Sequence, residues 1–147
     1  MKLFLLLLTA HFIADFYLQK HSWIMCKVQN KERSVGLFKH MLVHLVLTGA
    51  AIILSGISLD YQALIALIVI IISHYIIDIW KTYRIFVLKY FLIDQLGHLI
   101  FITGISIWLS GLSIQTVLFE LHHFFDVKTL MLIGLYLFLC KPVSLLI

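Results

Sequence analysis

The chain has little charge, almost no proline and no paired cysteine motif. Only 12% of its 147 residues are charged while 63% are hydrophobic; a soluble domain carries roughly 25% and 45–50%, so a water-soluble globule is excluded. Pro142 is the single proline, which rules out a proline-rich disordered tail and a collagen-like fibre. Cys26 and Cys140 stand far apart without CxxC spacing. That leaves no basis for a disulfide-stapled secreted domain or a cysteine-ligated zinc knuckle. HExxH, a phosphate-cradling glycine loop and a Ser/His/Asp nucleophile arrangement are missing as well, so zincin, P-loop and covalent serine chemistry are not expected.

What is present is apolar sequence in long runs: Leu3 to Leu18, Leu37 to Ser58, Tyr61 to Trp80, about Ile93 to Ser110, and Leu130 to Ile147. A bilayer-spanning helix needs about 20 mainly apolar residues. The expectation is an all-α polytopic membrane helix bundle of about five transmembrane helices. It forms a single transmembrane domain over 1–147, with a motif-bearing bundle at 1–111 and an outer loop and last helix at 112–147. The first run reads as a span and not a signal peptide, since it lacks an A-x-A site and carries His11 and Asp15.

Basic residues collect on the cytoplasmic side of spans. The segment from Lys20 to Lys39 holds Lys20, Lys27, Lys31, Arg33 and Lys39 against Glu32, and reads as a basic cytoplasmic loop. The connection after the third run carries Lys81, Arg84 and Lys89, whereas the alternate connections hold Asp60 in one case and Glu120, Asp126 and Lys128 in the other. This predicts a multi-pass protein with its N-terminus outside and its C-terminus inside. The net charge of +4 then reports topology and not nucleic-acid binding. Thr82 to Phe91 reads either as an interfacial helix or as the first turns of the fourth span.

The chemistry lies in a spacing. His or Asp recurs four residues apart at His11 and Asp15, His40 and His44, His74 and Asp78, and Asp94 and His98. Side chains at i and i+4 stand on one helix face, about 5–6 Å apart at Cβ, close enough to grip one metal ion or two adjacent ones, so each pair offers a two-ligand clamp. Eight histidines and five aspartates scattered at random would give about one such pair. On this topology all four pairs fall at the cytoplasmic ends of their helices, although the orientation rests on Lys and Arg alone. Ionisable groups inside spans cost about 2.5–3.5 kcal/mol each and usually face the bundle interior. Five imidazoles and three carboxylates exceed one tetrahedral ion and suit two divalent ions, zinc, manganese or iron. Gln19, Lys81 and Gln95 are expected to hold substrate or to orient ligands, Lys81 sharing the face of Asp78. Lys20, Arg84 and also Lys81 read as snorkelling anchors before substrate ligands, and Trp23, Trp80 and Tyr83 as interfacial aromatics. His122 and Asp126 form a further pair, expected on an exposed outer face.

The stretches AHFIADFYLQ (10–19), HMLVH (40–44), SHYIIDIWK (73–81) and FLIDQLGH (91–98) resemble the bacterial membrane family catalogued as domain of unknown function 3307. The resemblance implies a small helical inner-membrane protein without an assigned activity. A looser similarity is to bacterial membrane-bound metal-dependent hydrolases.

The residues themselves point to a metal-dependent hydrolase at the cytoplasmic face. Its substrate would be a lipid-linked or other amphiphilic or anionic ester or phosphoester, with water activated by two ions. Three alternatives stand beside it. A divalent-metal transporter needs a path of polar groups across the membrane, a di-iron oxidase typically carries HxxHH boxes, and in a non-catalytic protein the metal staples the bundle.

Overall fold

The computed structural model describes residues 2–85, 87–111 and 115. The chain divides into two units, 1–111 and 112–147, and the helix bundle is built from the first. The pair His122 and Asp126, Cys140 and the expected span from Leu130 to Ile147 lie outside the described residues.

The described chain is helical and contains no strand. Helix α1 (Lys2–Phe12) continues into a π-helical turn (Ile13–Leu18). Helix α2 (His21–Asn30) comes next, then a 3-10 turn (Lys31–Arg33) and helices α3 (Val35–Ser55), α4 (Tyr61–Thr82) and α5 (Leu88–Ser110). Helices α3, α4 and α5 have 21, 22 and 23 residues and are apolar enough to cross a membrane; α1 with α2, a bent pair, makes a fourth candidate. At 1.5 Å per residue such helices span a hydrocarbon core of about 30 Å.

Each long helix begins and ends for a local reason. Ser34 caps α3, its Oγ accepting from the Leu37 amide at 3.1 Å. Asp60, legible in sequence only as an outer-loop acid, caps α4 by accepting from the Gln62 and Ala63 amides at 2.9 and 3.0 Å. Helices α3 and α5 stop at Gly56 (φ 85°) and Gly111 (φ 62°), left-handed positions that favour glycine.

Helices α1, α3, α4 and α5 pack in a ring, each touching the next and α5 returning to α1. One end of the interior is apolar, with Leu3, Leu7, Ala51, Ile52, Ala63, Ile70 and Ile102 buried together. The other end is polar. The outer surface reverses the soluble pattern: Val46, Leu54, Ile76 and Ile100 are exposed while five histidines, His11, His40, His44, His74 and His98, are buried. Apolar outside and polar inside is the arrangement a bilayer selects.

Residues 20–39, expected to be a loop, instead fold largely into α2, which turns 90° from the first helix. Gln19 and Lys20 make the corner in extended backbone. Helix α2 packs on α3 and touches α4. The approach is set by Gly36, where an added Cβ would stand 2.7 Å from the Trp23 carbonyl oxygen and 2.8 Å from its Cα. Backbone cannot yield as a side-chain tip does. Gly36→Ala is therefore expected to cost about 1–3 kcal/mol in detergent unfolding. Gly49→Ala, with nothing within 4 Å of the new carbon, should be neutral or gain about 0.5–1 kcal/mol from helix propensity. Gly97 lies against α4: its added Cβ would meet Ile77 Cδ1 at 3.1 Å.

The connection from α4 to α5 leaves the helix at Tyr83, and Leu88 opens α5. Residues 88–91 are thus the first turn of α5, and no separate interfacial helix is present among the described residues. Lys31, at a positive φ of 51°, is held by donating to the Thr82 carbonyl at 2.5 Å and by lying 5.0 Å over the Tyr83 ring. The Tyr83 hydroxyl donates to Glu32 Oε1 at 2.5 Å. This bond holds the Glu32 carboxyl below its ordinary range and pushes the Tyr83 phenol up. Because the carboxyl is depressed, the tie is intact at neutral pH and is lost only as pH falls through that lowered value.

Candidate metal centre

All four expected pairs meet in one layer at the polar end. His11 and Asp15 come from the end of α1 and its π turn, His40 and His44 from the first half of α3, His74 and Asp78 from the second half of α4, and Asp94 and His98 from the first half of α5. Antiparallel neighbours bring these halves together. The extra backbone residue of a π turn shifts the side chains that come after it, and such turns are frequent at functional sites. Here the turn carries Asp15.

Three sets of side chains each place their donor atoms within 4.8 Å of one another: His11, Asp15, His44 and His74; His40, His74 and Asp78; and Asp78, Asp94 and His98. Asp15 Oδ1 lies 2.8 Å from His44 Nε2, 3.3 Å from His40 Nε2 and 3.7 Å from His74 Nε2. His74 Nε2 is 3.2 Å from His40 Nε2. The rings pack closely too, with His44 and His98 centroids 3.7 and 4.0 Å from that of His74. His40, His44 and Asp94 are at most 2% exposed.

Three of the i,i+4 pairs each fall within a single set. His40 and His44 fall in different sets, with their rings at 83° to each other. One helical turn separates them along the α3 axis; both reach Asp15 Oδ1, His44 at 2.8 Å and His40 at 3.3 Å, and His40 also lies 3.2 Å from His74 Nε2 and 3.6 Å from Asp78 Oδ2.

Spacing pairs Lys81 with Asp78 on its own helix, but its Nζ instead donates to Asp94 Oδ2 at 2.5 Å across the α4–α5 contact. Asp78 Oδ2 accepts from Lys27 at 2.6 Å. Lys27 has the sequence context of a loop cation, yet its side chain is only 9% exposed because α2 folds over the bundle end and carries the ammonium inward. Charge count is the signal that could find it: three carboxylates buried in spans need cations, and Lys81 alone stands within four residues of one.

Gln95 links the layer's two halves. Its amide nitrogen donates to Asp94 Oδ2 at 3.1 Å and to Asp15 Oδ2 at 3.5 Å, and its oxygen lies 3.4 Å from His11 Nε2. Gln19 stands at the corner before α2, and no hydrogen bond joins it to the cluster among the described residues. Arg84 stacks over Trp80 and Tyr90, 5.0 and 5.8 Å from their ring centres, as an interfacial anchor does.

Buried polar atoms normally find partners. His40 Nδ1, Asp94 Oδ1 and His98 Nε2 have none. A donor set of imidazoles and carboxylates with atoms left unpaired fits a divalent cation. Two spaces adjoin the layer. A cavity of about 10 Å³ is lined by His11, His44, His74 and His98 with Thr48 and Ser73 among others, room for about one water. A groove of about 250 Å³ runs between α1 and α5, lined by Leu8, Phe12, Leu92, Leu96 and Leu99, with His11 and Gln95 at its polar side.

No match was found among curated proteins or solved structures. Residues 3–125, which include all four pairs, match the family model described as protein of unknown function, DUF3307, and the chain belongs to that family.

Proposed function

We propose that this protein is a membrane-embedded metal-dependent hydrolase of an amphiphilic, lipid-linked ester or phosphoester. The observation that carries the reading is the convergence of eight ligand-type side chains from four helices beside both a water-sized cavity and an apolar groove. Divalent ions held there would supply Lewis acidity and a water of lowered pKa. The chain's own groups do the rest. The groove accommodates a hydrocarbon chain, Gln95 orients Asp15, Asp94 and His11, and a carboxylate of the cluster takes the proton. Lys81, with a side chain 35% exposed, stands at the margin where an anionic headgroup would arrive.

Lys20, Lys27, Lys31, Arg33, Lys81 and Arg84 all flank the polar end. By the positive-inside rule this end faces the cytoplasm, which sets the N-terminus outside, in a cytoplasmic membrane. A transporter is the second reading. The other half of the described interior is mainly apolar, with Thr48 and Ser106 buried in it but no buried ionisable group among the described residues, which supports hydrolysis over flux, since a transporter needs polar steps through the membrane.

The full chain, stripped with a chelator and reloaded with zinc or manganese in mild detergent, should cleave short-chain amphiphilic esters or phosphoesters. His44→Ala should abolish cleavage while helix content persists. Metal flux in proteoliposomes without cleavage of any substrate class would move the reading to a transporter, and metal-dependent oxygen consumption to an oxidase.

A further inference from the structure

We infer that the layer holds two cation sites of unequal affinity, and that Lys27 and Lys81 make the second one weak. The inference rests on the metal reading proposed for this layer and divides seven of the eight side chains between the two ions, His40 belonging to neither.

His74 is the constraint. Its Nε2 belongs to two of the three sets, lying 3.7 Å from Asp15 Oδ1, 3.2 Å from His40 Nε2 and 4.0 Å from Asp78 Oδ2. One ring nitrogen has one lone pair and ligates one ion. The two sets that share it cannot both be filled. The set of His11, Asp15, His44 and His74 offers three nitrogens and one carboxylate, a four-ligand complement that suits zinc, and no ammonium touches its carboxylate among the described residues. The set of His40, His74 and Asp78 has one ligand fewer, and Lys27 already occupies Asp78 Oδ2. The first set therefore takes His74 and the first ion.

That leaves Asp78, Asp94 and His98. Each carboxylate gives its Oδ2 to a lysine, Asp78 to Lys27 and Asp94 to Lys81. The other oxygens turn toward His98, whose Nε2 lies 3.5 Å from Asp94 Oδ1 and 4.0 Å from Asp78 Oδ1. His98 Nε2 and Asp94 Oδ1 are both buried and, apart from their 3.5 Å approach to each other, make no hydrogen bond, so a small cation completes them. It enters, however, against two ammonium groups that cancel the charge of its two carboxylates. The second ion is a divalent cation held loosely and exchanged readily.

Zinc titration of the chelator-stripped full chain in detergent, read by calorimetry with a competing chelator, tests this. The expected wild-type isotherm has one tight and one weaker step. Lys27→Gln and Lys81→Gln each strengthen the second step by about tenfold or more, because a cation is removed beside the ligands. The first step stays in place. His98→Ala removes the second step alone, and His11→Ala weakens the first. Lys81→Gln, at a partly exposed position, keeps the test open should Lys27→Gln misfold. Two steps of equal affinity, glutamine variants that weaken or fail to change the second step, or loss of both steps in His98→Ala would overturn the division while leaving a metal protein. Absence of any binding would overturn the metal reading with it.

Discussion

Replacing Asp78 with leucine is expected to destabilise the metal-free protein by about 3–5 kcal/mol, the usual cost of removing one member of a buried ion pair. The Lys27 and Asp78 side chains are 9% and 4% exposed. Without the carboxylate, the Lys27 ammonium is left in a dry interior with no acceptor. Most of the loss therefore comes from the stranded charge and not from the pair itself. Lys27→Met combined with Asp78→Leu should recover most of the stability, since replacing both members with apolar side chains is often neutral or better. Lys81→Met should cost less than Lys27→Met, because Asp94 keeps a hydrogen bond from Gln95 at 3.1 Å. Reversible unfolding from mild detergent into a denaturing one measures all four. Equal stabilities of Asp78→Leu and the double variant would show that Lys27 is not held as described.

The second large effect concerns His74. Metal at a hundredfold excess over its dissociation constant stabilises a folded protein by about 2.7 kcal/mol. In His74→Ala most of this gain should disappear, because the side chain is one of the four that would hold the tighter ion. The loss should exceed the roughly 10–100-fold in metal affinity that removal of an outer-shell partner costs. His98→Ala, which belongs to one set only, should keep most of the metal-induced gain. Thermal unfolding with and without zinc separates the two variants, and an unchanged metal response in His74→Ala would remove His74 from the centre.

The long helices and the His/Asp pairs are legible in the sequence because each leaves a local mark. Twenty or so apolar residues announce a span, and a four-residue spacing of His and Asp announces a shared face. The folded positions of α2 and Lys27 leave no such mark. HSWIMCKVQN is neither long nor apolar enough to read as a span. Its place across the bundle end is fixed by a tertiary contact, the Trp23 backbone against Gly36, which single-residue propensities do not encode. The burial of Lys27 comes from that contact, and with it the partner of Asp78. The π turn is likewise hidden, since HFIAD reads as ordinary helix. The separation of His40 from His44 depends on which neighbours stand at each level of α3, something spacing alone does not contain. The positive-inside rule also treats every lysine as a surface marker, and it has no way to single out one drawn into the interior.

Metal quantification by inductively coupled plasma mass spectrometry, on the full chain purified in mild detergent beside His74→Ala with matched helix content, tests the metal centre most directly. The expected result is at least one bound equivalent of zinc, manganese or iron in the wild type after loading, and almost none in the variant. A wild type that holds no divalent metal under any loading condition would contradict a metal centre, and the layer would then be a buried hydrogen-bond network.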